Sequence, residues 1–129
     1  EIQAKRWYKG NGISDINNLY RGYKSAAKKR GYEFSISKKT FSNLIKLPCS
    51  YCGDVESMSL TNRRTTMGKE ELKYNGVDRI DNTKGYVNGN VTSCCKICNN
   101  SKSTLTMEEW KKWIERVHNF QYKNSLDIY

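Results

Sequence analysis

Apolar and polar positions change period several times along this chain, and each change marks a different element. Ile16, Leu19, Tyr20, Tyr23 and Ala27 recur at helical spacing. With Ser14 or Asp15 as cap, they predict a helix running to about Arg30. Gly31 suits the position just past its end, and Lys28, Lys29 and Arg30 sit where the helix dipole favours cations. Residues 32–36 alternate like a short strand. Ser37 then caps a second helix that turns Phe41, Leu44 and Ile45 inward, and Pro48 stops it. Residues 54–76 are polar, with Arg63-Arg64 and Met67-Gly68 suggesting a loop or hairpin tip.

Tyr74-Asn75-Gly76 reads as a turn before a strand at 77–81. Asn82-Thr83-Lys84-Gly85 supplies turn chemistry, and 86–91 returns as a second strand. Thr92 or Ser93 caps a third helix reaching about Lys102. Thr106-Met107-Glu108-Glu109 has capping-box spacing. It opens a last helix with Trp110, Trp113, Ile114 and Val117 on one face, its tryptophans read as core packing rather than base-stacking platforms. The pattern predicts an α+β chain with a strand–turn–strand–helix unit near its middle.

Composition narrows the class. A chain of 129 residues allows one ordinary domain, divided here into a basic helical part at 1–47, a central part at 48–104 and an amphipathic helix at 105–129. Its apolar runs fall far short of the ~20 residues that a membrane span needs. Aromatic content of 12% argues against disorder. No basic-then-apolar leader is visible, and five cysteines then suggest metal ligation in a reducing compartment.

The formal charge of +10 is the footprint of a polyanion binder, one that ribosomal-type and merely soluble basic proteins share, and it is unevenly spread. Residues 1–47 hold eleven basic and three acidic side chains, 48–104 hold eight and six, and 105–129 hold four of each. Arg21, Lys24 and Lys28 form a stripe three to four residues apart on the first helix.

Cys49-Ser-Tyr-Cys52 and Cys95-Lys-Ile-Cys98 are two C-x2-C pairs separated by 42 residues. Each pair delivers two thiolates to one point, and four soft ligands at ~2.3 Å are what tetrahedral structural zinc requires. Cys94 is the surplus thiol. A 94/98 pairing is sterically possible, but paired spacing favours Cys95 and leaves Cys94 as a small packed residue.

Residues 76–102, GVDRIDNTKGYVNGNVTSCCKICNNSK, resemble the HNH, or ββα-metal, nuclease family. The resemblance is particularly to small phage-type endonucleases and compact restriction enzymes with a four-cysteine zinc knuckle. Pro48-Cys-Ser-Tyr-Cys-Gly53 belongs to the same match, and 27–41, AKKRGYEFSISKKTF, resembles the family more loosely. The resemblance implies a ββα-metal core with a zinc knuckle, flanked by N-terminal and C-terminal helices. It also implies a metal-dependent DNA endonuclease. Matched by position, Asp78 and Asn99 would hold Mg²⁺ or Mn²⁺, Asn90 would brace the loop, and Lys102 would contact phosphate. Arg21, Lys24, Lys28, Lys29 and Arg30 would track the DNA backbone.

One position departs from the pattern. Arg79 stands where the family usually has a histidine base, and a guanidinium stays protonated. Arg79 is therefore expected to clamp phosphate, and Tyr86 to activate or supply the nucleophile, with Asp81 and Tyr32 as weaker candidates. His118, in the last helix, is expected to be a surface or core residue. The alternative is a non-catalytic, zinc-stabilised DNA-binding module descended from such a nuclease. A homodimer would suit a palindromic target, and the resemblance implies the cytoplasm of a bacterial or phage-infected cell.

Overall fold

The structure is a computed structural model that describes residues 13–55, 58–61 and 71–127. Its elements are helix α1 (Ile13–Arg30), helix α2 (Lys38–Ile45), strands β1 (Met58–Thr61), β2 (Glu71–Tyr74), β3 (Gly76–Arg79) and β4 (Val91–Cys94), helix α3 (Lys96–Lys102) and helix α4 (Met107–Asp127). The strands form two separate antiparallel pairs, β1 with β2 and β3 with β4. In the second pair Gly76 faces Cys94, Asp78 faces Thr92 and Arg79 faces Val91. Among the described residues no helix is long and apolar enough to cross a membrane.

The helical periodicity of the N-terminal part explains its packing. Ile16 of α1 meets Phe41 and Ile45 of α2, with Ile36 and Val77 closing the cluster. Tyr20 and Tyr23 set their rings edge-on to Phe41 at 5.5 and 5.1 Å. Each such fully buried side chain contributes ~2 kcal/mol relative to exposure. Ser37 caps α2 by accepting the Thr40 N–H at 3.1 Å, as its sequence position suggests. Gly31 takes φ 78 directly after α1 and donates to the Lys28 carbonyl. A second cluster joins Cys49, Cys94, Cys95 and Cys98 to Trp110 at the start of α4.

Several boundaries differ from the sequence reading. Helix α1 begins at Ile13, so Asp15 lies in its first turn and not at the cap. Residues 32–36 make only one bridge, Phe34 to Tyr86, and no strand. The return strand is β4 and not 86–91. Gly89 adopts φ 87, and Asn90 folds its amide back onto Asp81 and Gly85, so pairing starts only at Val91. Thr92 and Ser93 are then part of β4, and the cap of α3 is Cys95, whose sulfur accepts the Cys98 N–H. Tyr74 belongs to β2, leaving Asn75 alone between two strands. The 58–74 region forms a hairpin, and the tip residues Arg63-Arg64 and Met67-Gly68 lie outside the described residues.

The capping box of α4 is formed in both directions: Glu109 accepts from the Thr106 N–H and Thr106 accepts from the Glu109 N–H. Among its described side chains only Trp110 is buried, however. Trp110 is 3% exposed, whereas Trp113, Ile114 and Val117 are all about two-fifths exposed, because α4 runs on past α3. The core role expected of the two tryptophans holds for Trp110 and not for Trp113.

Gly85 sits where the 82–85 turn presses on residue 33, and a β-carbon there would collide with the Glu33 backbone. Gly85→Ala should therefore destabilise the protein by ~1–3 kcal/mol, as overpacking does, read as a lower urea midpoint with an unchanged slope.

Candidate metal centre and active site

The two C-x2-C pairs come together. The sulfurs of Cys49, Cys52, Cys95 and Cys98 all lie within 4.8 Å of one another. Tetrahedral bonds of ~2.3 Å set sulfurs about 3.8 Å apart, and Cys52 and Cys95 stand at 3.6 Å. The donor set also fits electrostatically. Burial opposes ionisation of Cys49, but N–H groups of Cys52, Cys95 and Tyr51 outweigh it and hold the thiol at about 6. Burial, and then the other three sulfurs, push the Cys98 thiol up, and a cation among the four would offset that effect. The cluster can hold a metal such as zinc. Cys94 stays outside it, buried, with its thiol donating to the Cys95 carbonyl.

The turn that carries Cys49 and Cys52 also carries Tyr51, and this residue leads to the second centre. Its ring packs edge-on against Trp110 at 4.9 Å, and its hydroxyl donates to Asp78 Oδ2 at 2.8 Å. Burial and the Asp78 carboxylate raise the Tyr51 phenol above its usual value, keeping it a proton donor. Lys102, the last residue of α3, donates to the same Oδ2 at 2.7 Å. Its ammonium also reaches the carbonyls of Arg79 at 2.8 Å and Ile80 at 3.4 Å. Lys102 is fully buried, so the phosphate contact expected of it is corrected: the ammonium is turned inward and spent on a carboxylate and two carbonyls. Asp78 Oδ1 has no partner among the described residues.

Oδ1 belongs to a side chain bordering a cleft of about 860 Å³ between α1 and the β3–β4–α3 unit. Asn99, Arg79, Tyr32 and Tyr86 border the same cleft, and α1 contributes Asn18, Gly22, Ala26 and Arg30. Arg79 donates through Nη1 to the carbonyls of Asn82 and Lys84 at 2.7 and 2.9 Å. Its guanidinium lies 3.7 Å from the centre of the Tyr32 ring and 5.8 Å from that of Tyr86. The Tyr86 ring packs on Phe34 and Tyr23.

Asn90 spans the turn beside the cleft. It accepts from the Asp81 N–H at 2.8 Å and donates to the Asp81 and Gly85 carbonyls at 3.1 and 2.9 Å. Asp81 points its carboxylate at Thr83, whose hydroxyl and N–H hold it below the usual range; it serves the turn and not the cleft. Of the expected backbone-tracking cations, Arg30 borders the cleft. Arg21, Lys24, Lys28 and Lys29 are exposed on α1 and are not among the residues that line it. Sequence reasoning missed Tyr51, whose position inside Cys-x-x-Cys was the only available signal. It also missed Asn18, Gly22 and Ala26, whose four-residue spacing was visible. His118 stacks beside Tyr122 on α4, away from the cleft-lining residues.

No family model matches the chain. An uncharacterised protein of Acanthamoeba polyphaga mimivirus is 31% identical to it over 138 aligned positions. That alignment takes in all of this chain and 23% of the viral protein, so the chain spans about a quarter of that relative's length. Among solved structures, the rare-cutting HNH restriction endonuclease PacI is similar to it with a TM-score of 0.57 and 25% identity. The likeness covers 85% of this chain and 81% of PacI. The chain thus has the fold of an HNH restriction endonuclease together with a four-cysteine cluster able to bind metal.

Elemental analysis of the purified protein should find one thiolate-bound metal per chain. Cys94→Ser should keep it. Cys98→Ser should lose it along with much of the fold, because structural zinc supplies ~10 kcal/mol or more of apparent binding energy in small domains.

Proposed function

We propose that the protein is a metal-dependent DNA endonuclease that hydrolyses phosphodiester bonds in the cleft beneath α1. One observation carries this reading. Asp78 commits one carboxylate oxygen to Tyr51 and Lys102 and keeps the other without a protein partner among the described residues, in a cleft shared with Asn99 and Arg79. The likeness to an HNH restriction endonuclease supports it. A carboxylate oxygen and an amide oxygen are the hard, sparse donor set that suits Mg²⁺ or Mn²⁺, with room for water and phosphate. When bound, such an ion supplies positive charge to the departing 3′ oxygen. Zinc is the metal proposed for the four thiolates, where it is structural because no ligand position remains open.

The residues divide the remaining work. Arg79 has its Nη1 fixed by two loop carbonyls, and its other N–H groups have no partner among the described residues. They are available to clamp the scissile phosphate and the charge that develops on it. Asn90 keeps the 81–85 turn, and so Arg79, in place. With arginine at the base position, a tyrosine phenolate takes the proton of the attacking water, or attacks phosphorus itself as the bond to the 3′ oxygen breaks, water then hydrolysing the phosphotyrosine. Tyr86 and Tyr32 both border the cleft beside Arg79, and the closer stacking of Tyr32 on the guanidinium makes it the stronger candidate. One cleft of this kind cuts one strand, so a double-strand break requires two protomers or two visits.

A second reading, a DNA-binding module without catalysis, is favoured by one feature, the protonated side chain of Arg79. Supercoiled plasmid separates the two. With Mg²⁺ or Mn²⁺ the protein should nick or linearise it, EDTA should stop the reaction, and Asp78→Ala should be inactive in either ion. Plasmid left intact, by protein that binds it, would establish the binding module.

Tyr32→Phe and Tyr86→Phe remove a single oxygen each. In single-turnover assays, the residue that handles the nucleophile should lose at least ~100-fold in rate with DNA affinity unchanged. The other should cut near the wild-type rate.

Charge reversal at Lys24, Lys28 and Lys29 tests the exposed side of α1. For every lysine that neutralises a phosphate, the reversal should lower the log–log salt slope of duplex binding by about 0.9, equally for unrelated sequences.

A further inference from the structure

The charges around Asp78 are unusual for a site that must attract a doubly charged cation. Asp78 is the only carboxylate among the described residues that line the cleft, and the lining also includes Arg30 and Arg79. Its charge is already matched by Lys102, in an ion pair of 2.7 Å. That ammonium is fully buried and is held by the Arg79 and Ile80 carbonyls as well, so it stays with the carboxylate. The other proposed ligand, Asn99, is neutral. Before DNA arrives, a divalent ion therefore meets one compensated carboxylate and two guanidinium groups. This is repulsion on balance, in a cleft where charges are less screened than in bulk water. A phosphodiester entering the cleft brings the missing negative charge and additional hard oxygen donors.

We infer that Lys102 makes divalent-ion binding at Asp78 conditional on a bound phosphodiester backbone. This rests on the nuclease reading above and adds an order of assembly to it: nucleic acid first, or with the ion, but not the ion alone. Lys102 acts through Asp78 and is a positioning residue. It fixes which carboxylate oxygen faces the cleft and cancels the charge that would otherwise fill the site prematurely. Linkage makes the effect reciprocal, so the ion must tighten DNA binding by the same factor that DNA tightens ion binding.

The test uses the full chain with its thiolate-bound metal and Mn²⁺ as probe, followed by loss of the free-ion paramagnetic resonance signal. Mn²⁺ is titrated with and without a short mixed-sequence duplex on ice, and Asp78→Ala with the same duplex corrects for ions held by the DNA itself. Wild-type affinity for Mn²⁺ should rise at least about tenfold when the duplex is present. Duplex affinity, measured by fluorescence anisotropy, should rise by the same factor when Mn²⁺ is added. Lys102→Gln removes the charge but keeps a donor for Asp78. Without DNA it should bind Mn²⁺ at least about tenfold more tightly than wild type, with a smaller gain on adding duplex. Lys102→Arg should return the weak, DNA-dependent binding.

An Asp78-dependent Mn²⁺ site of equal affinity with and without duplex would overturn the inference and leave the nuclease reading standing. So would a well-folded Lys102→Gln that binds the free ion no better than wild type. If Lys102→Gln does not fold, the two wild-type titrations decide alone. Absence of any Asp78-dependent Mn²⁺ binding would remove both readings together.

Discussion

Four sulfur atoms from two segments 42 residues apart lie within 4.8 Å of one another, and the side chains that hold Asp78 are placed with respect to that junction. Cys49 and Cys52 carry Tyr51 between them, and Cys95 and Cys98 lie at the beginning of the helix that ends in Lys102. These two residues, Tyr51 and Lys102, grip the same oxygen of Asp78. The thiolate cluster therefore does more than staple a small core. Any displacement of one pair against the other would shift a hydroxyl and an ammonium relative to a carboxylate, across hydrogen bonds of 2.8 and 2.7 Å. A small domain with limited apolar burial gains stability from such a junction. Here the same junction also sets the geometry of the cleft.

Those parts of the structure governed by local spacing could be read from the sequence. The helices follow from the apolar period of Ile16 to Ala27 and from the Thr106–Glu109 capping box, and the metal cluster follows from two C-x2-C pairs. What could not be read depends on distant partners. Tyr51 finds Asp78 across 27 residues, and nothing in a Ser-Tyr dipeptide announces that. Lys102 matched a phosphate contact by position, and lysine at a helix end is usually exposed. It became buried only because Asp78 and two carbonyls surround it. The misplaced strand has a local cause: alternation at 86–91 outweighed the turn-forming Gly89-Asn90 pair, whose left-handed backbone and amide bonds interrupt the ladder.

Charge operates at two ranges in this molecule. The exposed lysines of α1 create a field that extends over roughly a Debye length, ~8–10 Å in physiological salt, and concentrates any polyanion near the helix. Inside the cleft, Arg30, Arg79 and the compensated Asp78 act over contact distances, where the exact position of a bound anion would matter. Gly22 and Ala26 lie between these regimes, presenting almost no side chain on the stretch of α1 that overlooks Asp78 and Arg79. A phosphate backbone can thus come close to the helix without displacing anything bulky.

The segment that carries β1 and β2 is closed at its base by Asn75, whose buried amide donates to the Asp54 carbonyl at 3.1 Å and the Leu47 carbonyl at 2.9 Å. The two ends of this excursion are therefore already in contact, and Asn75 also ties its own N–H to Ile45 in the core. Doubling the length of a segment closed in this way costs only about 0.6 kcal/mol of closure entropy. That makes the Asp54–Asn75 doorway a natural splice point. Foreign sequence grafted there, with Asn75 kept, would leave the cysteines, Asp78 and Lys102 undisturbed, so a reporter or a new recognition element could be carried without remaking the cleft.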